Sequence, residues 1–253
     1  MAFSLQQFSP IFELRDREGN PYVLIGGQAV NYWAEKYVSH ESTLSAWLPF
    51  TSEDIDFHGV RDDVLRTAKY LGVRARLPHK KEMTALAGIV PFNIEDMASA
   101  VDFVRSIPTV PTHKIRSWAL TAERDGKTIR VLDPVSLLYC KTYLAVKVDQ
   151  TNRRDVDHLR IMVICVRAFL RETLSGVEAN DLPARGWLGA LERVLKLAET
   201  SLGRKAASKL SISWAHALPE DEIHSSTHPA AVQVRQKRLP QWRRKLGLPS
   251  KAV

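Results

Sequence analysis

Two short stretches of this chain carry residue types that can do chemistry. Tyr22-Val-Leu-Ile-Gly-Gly-Gln-Ala-Val30 reads as a buried strand entering a glycine turn, with a helix opening at Gln28 or Ala29. Free backbone N–H groups and the positive end of a helix dipole suit a phosphate at such a turn. Glu53-Asp-Ile-Asp-Phe57 reads as a short strand whose alternation puts Asp54 and Asp56 on one face and Ile55 and Phe57 on the other. Like charges side by side on a strand repel, which calls for a compensating cation. Carboxylate oxygens suit a hard divalent ion such as Mg²⁺. Phosphate and metal in one cleft are what phosphoryl or nucleotidyl transfer requires. An acceptor hydroxyl attacking an α-phosphate needs its charge stabilised and the leaving pyrophosphate neutralised, and metals held by carboxylates on rigid strands do both. Asp54 and Asp56 are therefore the candidate metal ligands, and Gly26 and Gly27 the candidate phosphate cradle.

Further residues are candidates on weaker grounds. In Ala100-Val-Asp-Phe-Val104, Val101 and Phe103 share one strand face while Asp102 points the other way. An acid between β-branched and aromatic neighbours disfavours a strand, so either an exposed edge or a metal site should compensate it. If this strand lies beside Glu53–Phe57, Asp102 is the third carboxylate, within about 5 Å of Asp54 or Asp56 and close enough to share a cation. Asp133 competes for that role, but Pro134 after it makes it a helix cap. Lys141 lies on an apolar helix, where it is either a point charge for a β- or γ-phosphate or a snorkelling lysine. Asp155 is either a site residue or an acid favouring a helix start, and Asp157 reads as structural.

The elements that must position these residues follow from pattern. Residues 3–16 form an amphipathic helix around Leu5, Phe8 and Phe12, with Pro10 as a break. After the turn Arg17-Glu-Gly-Asn-Pro21 and the first strand, a helix runs to about Tyr37, and residues 38–51 are a polar loop. Arg61–Leu71 is helical and stops at Gly72, and Val73–Leu77 is a possible strand. Met83–Phe92 and Ala100–Val104 are β-like. Ile115–Ala122 and Thr128–Leu132 flank Asp125-Gly126, the strongest hairpin signal in the chain. Beyond Asp133 the pattern is helical, over roughly 134–148, 153–174, 186–202 and 203–215. The expected architecture is an α/β (α+β) mixed-sheet domain over residues 1–132, a helical domain over 133–228 and a basic tail over 229–253.

With 253 residues, 45% of them apolar, the chain can bury a sizeable core. Its net charge of +8 favours a polyanionic partner. Cys140 and Cys165 lie in apolar segments without metal spacing, as reduced core thiols do. No secretory signal and no membrane-spanning run is legible, so the expected location is cytoplasmic. No P-loop string occurs, no GxSxG elbow, and the one HxxxH spacing, His224 to His228, lacks the glutamate of a zinc protease. The tail carries Arg235, Lys237, Arg238, Arg243, Arg244, Lys245 and Lys251 around Trp242, which suits either an RNA grip by phosphate contact and stacking or a solvated basic end.

Gly26-Gly27 followed by Thr51-Ser-Glu-Asp-Ile-Asp-Phe57 resembles the signature of the polymerase β-like nucleotidyltransferase superfamily. Val131-Leu-Asp-Pro-Val-Ser-Leu-Leu-Tyr-Cys-Lys141 and Arg153-Arg-Asp-Val-Asp-His-Leu159 look like the later half of its AbiEii-type group, where a helical lysine and an Asp after a basic pair recur. The resemblance covers about residues 20–160. It implies a nucleotidyltransferase fold, Mg²⁺, a nucleoside triphosphate (NTP) as substrate, and a third carboxylate on a later strand. Because the group includes toxins of toxin–antitoxin pairs and some members modify tRNA, it also implies RNA or tRNA as acceptor and a cognate antitoxin as partner. Two departures stand out: Gly27 replaces a serine found in many members, and the interval from Gly27 to Asp54 is longer than in minimal enzymes. The rival readings are transfer to a small molecule such as an antibiotic hydroxyl, and a non-catalytic nucleotide- or RNA-binding module.

Overall fold

A computed structural model describes residues 2–249 and divides the chain into two compact units, residues 1–140 and 141–253. The first unit is built on a six-stranded mixed sheet, ordered β3-β4-β2-β1-β6-β5. Its strands are β1 (Val23–Ile25), β2 (Ile55–His58), β3 (Leu86–Ile94), β4 (Met97–Val104), β5 (Ala119–Arg124) and β6 (Lys127–Leu132). β2 runs antiparallel to β1 but parallel to β4, and β1 runs parallel to β6. The central strands are short and apolar: Val23, Leu24, Ile25, Ile55 and Phe57 are all buried. One sheet face is aromatic. Tyr22, Phe57 and Phe103 gather there, with ring centroids 5.0 to 6.0 Å apart.

Helix α2 (Arg61–Leu71) packs on that aromatic face. Val64 and Ala68 are buried, and a Cβ on Gly59 would sit 2.6 Å from the Phe103 ring. Helix α1 (Gly26–Tyr37) leaves β1 directly, two or three residues earlier than the pattern suggests, and Trp33 donates to the Leu132 carbonyl at 2.9 Å. Asp125 and Gly126 both take left-handed φ angles in the β5–β6 turn, as the Asp-Gly step requires. Glu95 and Asp96 do the same between β3 and β4, with φ of 49° and 65°.

Several expectations need correction. Val73–Leu77 forms no named strand; only Arg76 bridges to Ile89, just past the irregularity in β3 between Leu86 and Gly88. Ile115–Trp118 belongs to helix α3 (Thr112–Trp118), because Pro111 stands at its N-cap, and only from Ala119 does the chain extend. The loop 38–51 contains a 3-10 turn, Ser42–Trp47, that buries Leu44. The N-terminal helix is itself 3-10, Leu5–Glu13, and accommodates Pro10.

Helix α4 (Pro134–Lys147) opens as the Asp133-Pro134 signal predicts, with Asp133 accepting the Ser136 N–H at 3.0 Å. It crosses the division between the units. The second unit is helical: α5 (Asp155–Glu178), α6 (Ala184–Glu199), α7 (Ser201–Leu210), α8 (Glu220–Ser225), α9 (Pro229–Gln233), a π-turn over Val234–Arg238, and α10 (Leu239–Lys245). Helices α6 and α7 break at Thr200, whose hydroxyl caps the Gly203 N–H at 3.0 Å. A Cβ at Gly203 would lie 2.1 Å from the Leu197 carbonyl, so this close turn requires glycine.

The C-terminal segment is not a solvated tail. Trp242 is fully buried and donates to the Leu195 carbonyl of α6 at 3.1 Å, which overturns its expected role as a stacking platform. Arg238 grips Glu192, Arg243 pairs with Glu220, and Lys245 meets Glu199 at 2.8 Å. An apolar indole beside paired charges is how a packed helix terminus is held, and that needs partners far away in sequence. Lys251 lies outside the described residues.

Candidate metal centre

Register brings the carboxylates together. Asp56 of β2 is paired in the ladder with Asp102 of β4, and Ile55, Phe57, Val101 and Phe103 turn their side chains to the opposite, buried face. Asp54 lies one residue before β2, in the bend that feeds it, rather than on the strand itself. That bend is fixed by the N-terminal segment: Phe3 and Ser52 exchange both backbone hydrogen bonds, at 2.8 and 2.9 Å. The Ser52 hydroxyl reaches Asp54 Oδ1 at 3.4 Å, and the Ser99 hydroxyl donates to the Glu53 carbonyl at 2.8 Å.

One oxygen from each of Asp54, Asp56 and Asp102 lies within 4.8 Å of the other two, the one such acidic, histidine or cysteine cluster among the described residues. Asp102 Oδ1 is buried and accepts no hydrogen bond. Burial first, and then the Asp54 charge, pushes the Asp102 carboxyl up to about 6. A buried, unsatisfied anionic oxygen facing two further carboxylates is unfavourable alone and favourable around a cation. The donors are all hard oxygens, which fits Mg²⁺ or a similar ion. The described residues therefore fit a divalent metal.

Gly26 makes the space for this cluster. Its φ is 68°, in the left-handed region, and a Cβ there would overlap Asp56 Oδ2 at 1.8 Å. The glycine that opens α1 thus lets a carboxylate stand against the helix N-terminus. Behind it, buried Gln28 donates to the Phe3 carbonyl at 3.0 Å and accepts from Asn31 at 3.1 Å. The tie to Phe3 was invisible in the sequence, since it joins Gln28 to a residue 25 positions away.

The other candidates lie in the second unit. Lys141 does not snorkel: it is buried and pairs with Asp155 Oδ1 at 3.0 Å. Arg153 takes the other Asp155 oxygen at 2.6 Å. Burial would raise the Asp155 carboxyl, but the Lys141 and Arg153 charges outweigh it and hold it below the usual range. His158, also buried, is pushed down to about 3 by burial and then by the Lys141 charge. Asp157 is half-exposed and reaches only Arg160, at 3.7 Å. His228 caps α9 through its ring, accepting the Ala230 N–H at 3.2 Å, so the HxxxH spacing serves a helix start. No described helix is long and apolar enough to cross a membrane.

No family model matches the chain, and no curated protein matches it in sequence. Among solved structures it is similar to an antigenic nucleotidyltransferase-like protein from Paracoccidioides brasiliensis. The identity is 13% and the TM-score 0.44, over 64% of this chain and 78% of that one. A likeness that distant carries no argument about chemistry. The aspartate cluster has to carry it.

Proposed function

We propose that this protein is a divalent-metal-dependent nucleotidyltransferase that moves a nucleotide from an NTP to an acceptor hydroxyl. The observation behind the reading is the gathering of Asp54, Asp56 and Asp102 around the orphaned Asp102 oxygen, beside a glycine-opened helix. Asp54, Asp56 and Asp102 are the residues that would hold Mg²⁺. When bound, the ion supplies Lewis-acid stabilisation of the charge on the reacting phosphate. The first N–H groups of α1, from Gly26 and Gly27, orient the triphosphate with the helix dipole behind them. Asp102 would be the third carboxylate on the ion, completing the set that Asp54 and Asp56 begin.

The acceptor we favour is RNA or tRNA, on the net charge of +8 and on the resemblance to toxin enzymes that have an antitoxin partner. Lys141 belongs to the proposal only indirectly. Its ion pair with Asp155 gives it a structural task, and a phosphate contact would add to that task.

The test is transfer of labelled NTPs onto separate RNA, protein and small-molecule pools with Mg²⁺. Labelled RNA supports the full reading, and a labelled small molecule moves the acceptor while keeping the enzyme class. An absence of label in every pool, with all four NTPs, overturns the enzyme. Asp56→Ala should abolish transfer while the melting temperature stays within a few degrees or rises, because repulsion is relieved. Full activity in that variant would remove the metal assignment.

A further inference from the structure

Unpartnered positive charge gathers on α2 and the segment after it, not in the C-terminal helices. Residues 61–81 contain seven basic and two acidic residues, so this stretch alone carries +5 of the net +8. Arg61, Arg66 and Lys69 stand on α2, and all three are exposed. Arg74, Arg76, Lys80 and Lys81 follow, equally exposed. None of these seven side chains makes a hydrogen bond or ion pair with a described residue. One of the two acids, Asp63, is turned inward, where its carboxylate accepts the Val60 N–H at 2.9 Å. The contrast with Arg238, Arg243 and Lys245 is direct, since each of those has a carboxylate partner.

The patch also has a concavity. Arg17, Arg66 and Lys69, with Asp62 and Leu65, line an open hollow of about 450 Å³. Three cations converging on a shallow hollow, with one carboxylate opposed, suit a phosphate group. Next to Lys69 in the chain, the Tyr70 ring is 61% exposed with its hydroxyl on Glu13, and its face offers an aromatic surface on which a base can stack.

We infer that this face is the docking surface for the backbone of an unpaired RNA strand, with the Arg17/Arg66/Lys69 hollow seating one phosphate and Tyr70 stacking a base. A lipid surface fits less well. Helix α2 spends its apolar stripe, Val64 and Ala68, on the sheet. Its outward apolar residues, Leu65 and Tyr70, are five positions apart and so point about 140° from one another, which gives no stripe to insert. Duplex DNA fits less well too, because its bases are already stacked on one another and cannot use the exposed Tyr70 ring. Because α2 covers the aromatic face, the patch lies behind the sheet from the three aspartates. It would hold an RNA acceptor away from its reacting end.

The test is binding of a labelled single-stranded RNA of about 20 nucleotides across a salt series, without nucleotide and with a chelator present. Under those conditions it succeeds or fails independently of the catalytic reading. The triple variant Arg17→Gln/Arg66→Gln/Lys69→Gln should flatten the log–log salt slope by about 0.7, the share of the one phosphate that the hollow seats on a single strand. Lys237→Gln/Arg244→Gln, on the C-terminal helices, should leave the slope unchanged. The same slope in the triple variant, or an equal loss in the C-terminal variant, overturns the proposal. So does tighter binding to a duplex DNA of equal length, or binding to phosphatidylserine vesicles in place of RNA. If the triple variant fails to fold, Lys80→Gln/Lys81→Gln probes the same face and should lower the slope by about 1.4; no change there overturns it as well.

Discussion

The chemistry of the candidate centre turns on one glycine and one aspartate. No side chain other than hydrogen fits at position 26, since the left-handed φ and the Asp56 carboxylate both occupy what a Cβ would need. Asp102 carries the electrostatic cost. Its carboxyl sits at about 6 rather than near its ordinary value of 3.8, through burial and then the Asp54 charge. A folded-state value raised above the unfolded one means that the native protein holds the proton more tightly. The associated stability is fully present below about 3.8 and is lost as pH rises through about 6. Asp102→Asn mimics the protonated form. In chelator it should therefore raise stability at pH 8 by up to about 3 kcal/mol, less what solvent screening of this half-buried group removes, and by only about 0.5 kcal/mol at pH 4. Saturating Mg²⁺ should reverse the order at pH 8, because the variant loses a ligand while wild type gains one ion's binding energy. Thermal melts at the two pH values, with and without the ion, read this directly. Equal melting temperatures at pH 8 in chelator would show that Asp102 is solvated.

At the scale of elements, the C-terminal helices give the sharpest expectation. Trp242 is fully buried against α6, and Leu239 beside it is 3% exposed. Trp242→Ala should cost about 3–5 kcal/mol, as large aromatic deletions from cores do. Truncation before Pro229 should then destabilise the second unit rather than simply weaken RNA binding. A melt of the Trp242→Ala protein within a degree of wild type would return the segment to a solvated tail. The elements readable from sequence were those whose signal is local. The Asp125-Gly126 turn, the Asp133-Pro134 helix start and the α2 stop at Gly72 each rest on chemistry contained in two or three neighbours. Strand alternation turned Asp56 away from Ile55 and Phe57, and Asp102 away from Val101 and Phe103, for the same reason: strand period is a local property, and the pairing of β2 with β4 does the rest, while Asp54 sits in the bend before β2. What the sequence hid depends on distant partners. The Phe3–Ser52 bridge that fixes Asp54, the burial of Trp242 and the Lys141–Asp155 pair all join residues that no short window contains. Basic content in the last 25 residues looked like an RNA grip only because Glu192, Glu199 and Glu220 were out of view.

At the scale of the whole molecule, one buried group in each unit, Asp102 in the first and His158 in the second, responds to pH in the opposite direction from the other. In the first unit Asp102 gains stability on acidification, as argued above. In the second, His158 is buried at 7% exposure, its Nδ1 has no hydrogen-bond partner, and burial followed by the Lys141 charge pushes it down to about 3. Asp155 pulls the other way, while Arg153 and Arg154 add to the depression. The unfolded chain carries a histidine of ordinary value near 6.5, so at pH 5 it binds a proton that the native state refuses. The stabilising contribution is therefore present above about 6.5 and is lost as pH falls toward 3. By pH 5 the loss amounts to roughly 2 kcal/mol. His158→Gln removes the titration while keeping a polar side chain of similar reach. Its melting temperature should start below that of wild type at pH 7.5 if the neutral ring packs well, and should fall less steeply between pH 7 and 5. A pH series of melts followed by tryptophan fluorescence reads this unit through Trp187, Trp214 and Trp242, all buried there, and the comparison with wild type cancels the signal of Trp33, Trp47 and Trp118 in the first unit. Parallel pH profiles for the variant and wild type would mean that His158 takes up its proton without unfolding, and that the acid response of the helical unit has another source.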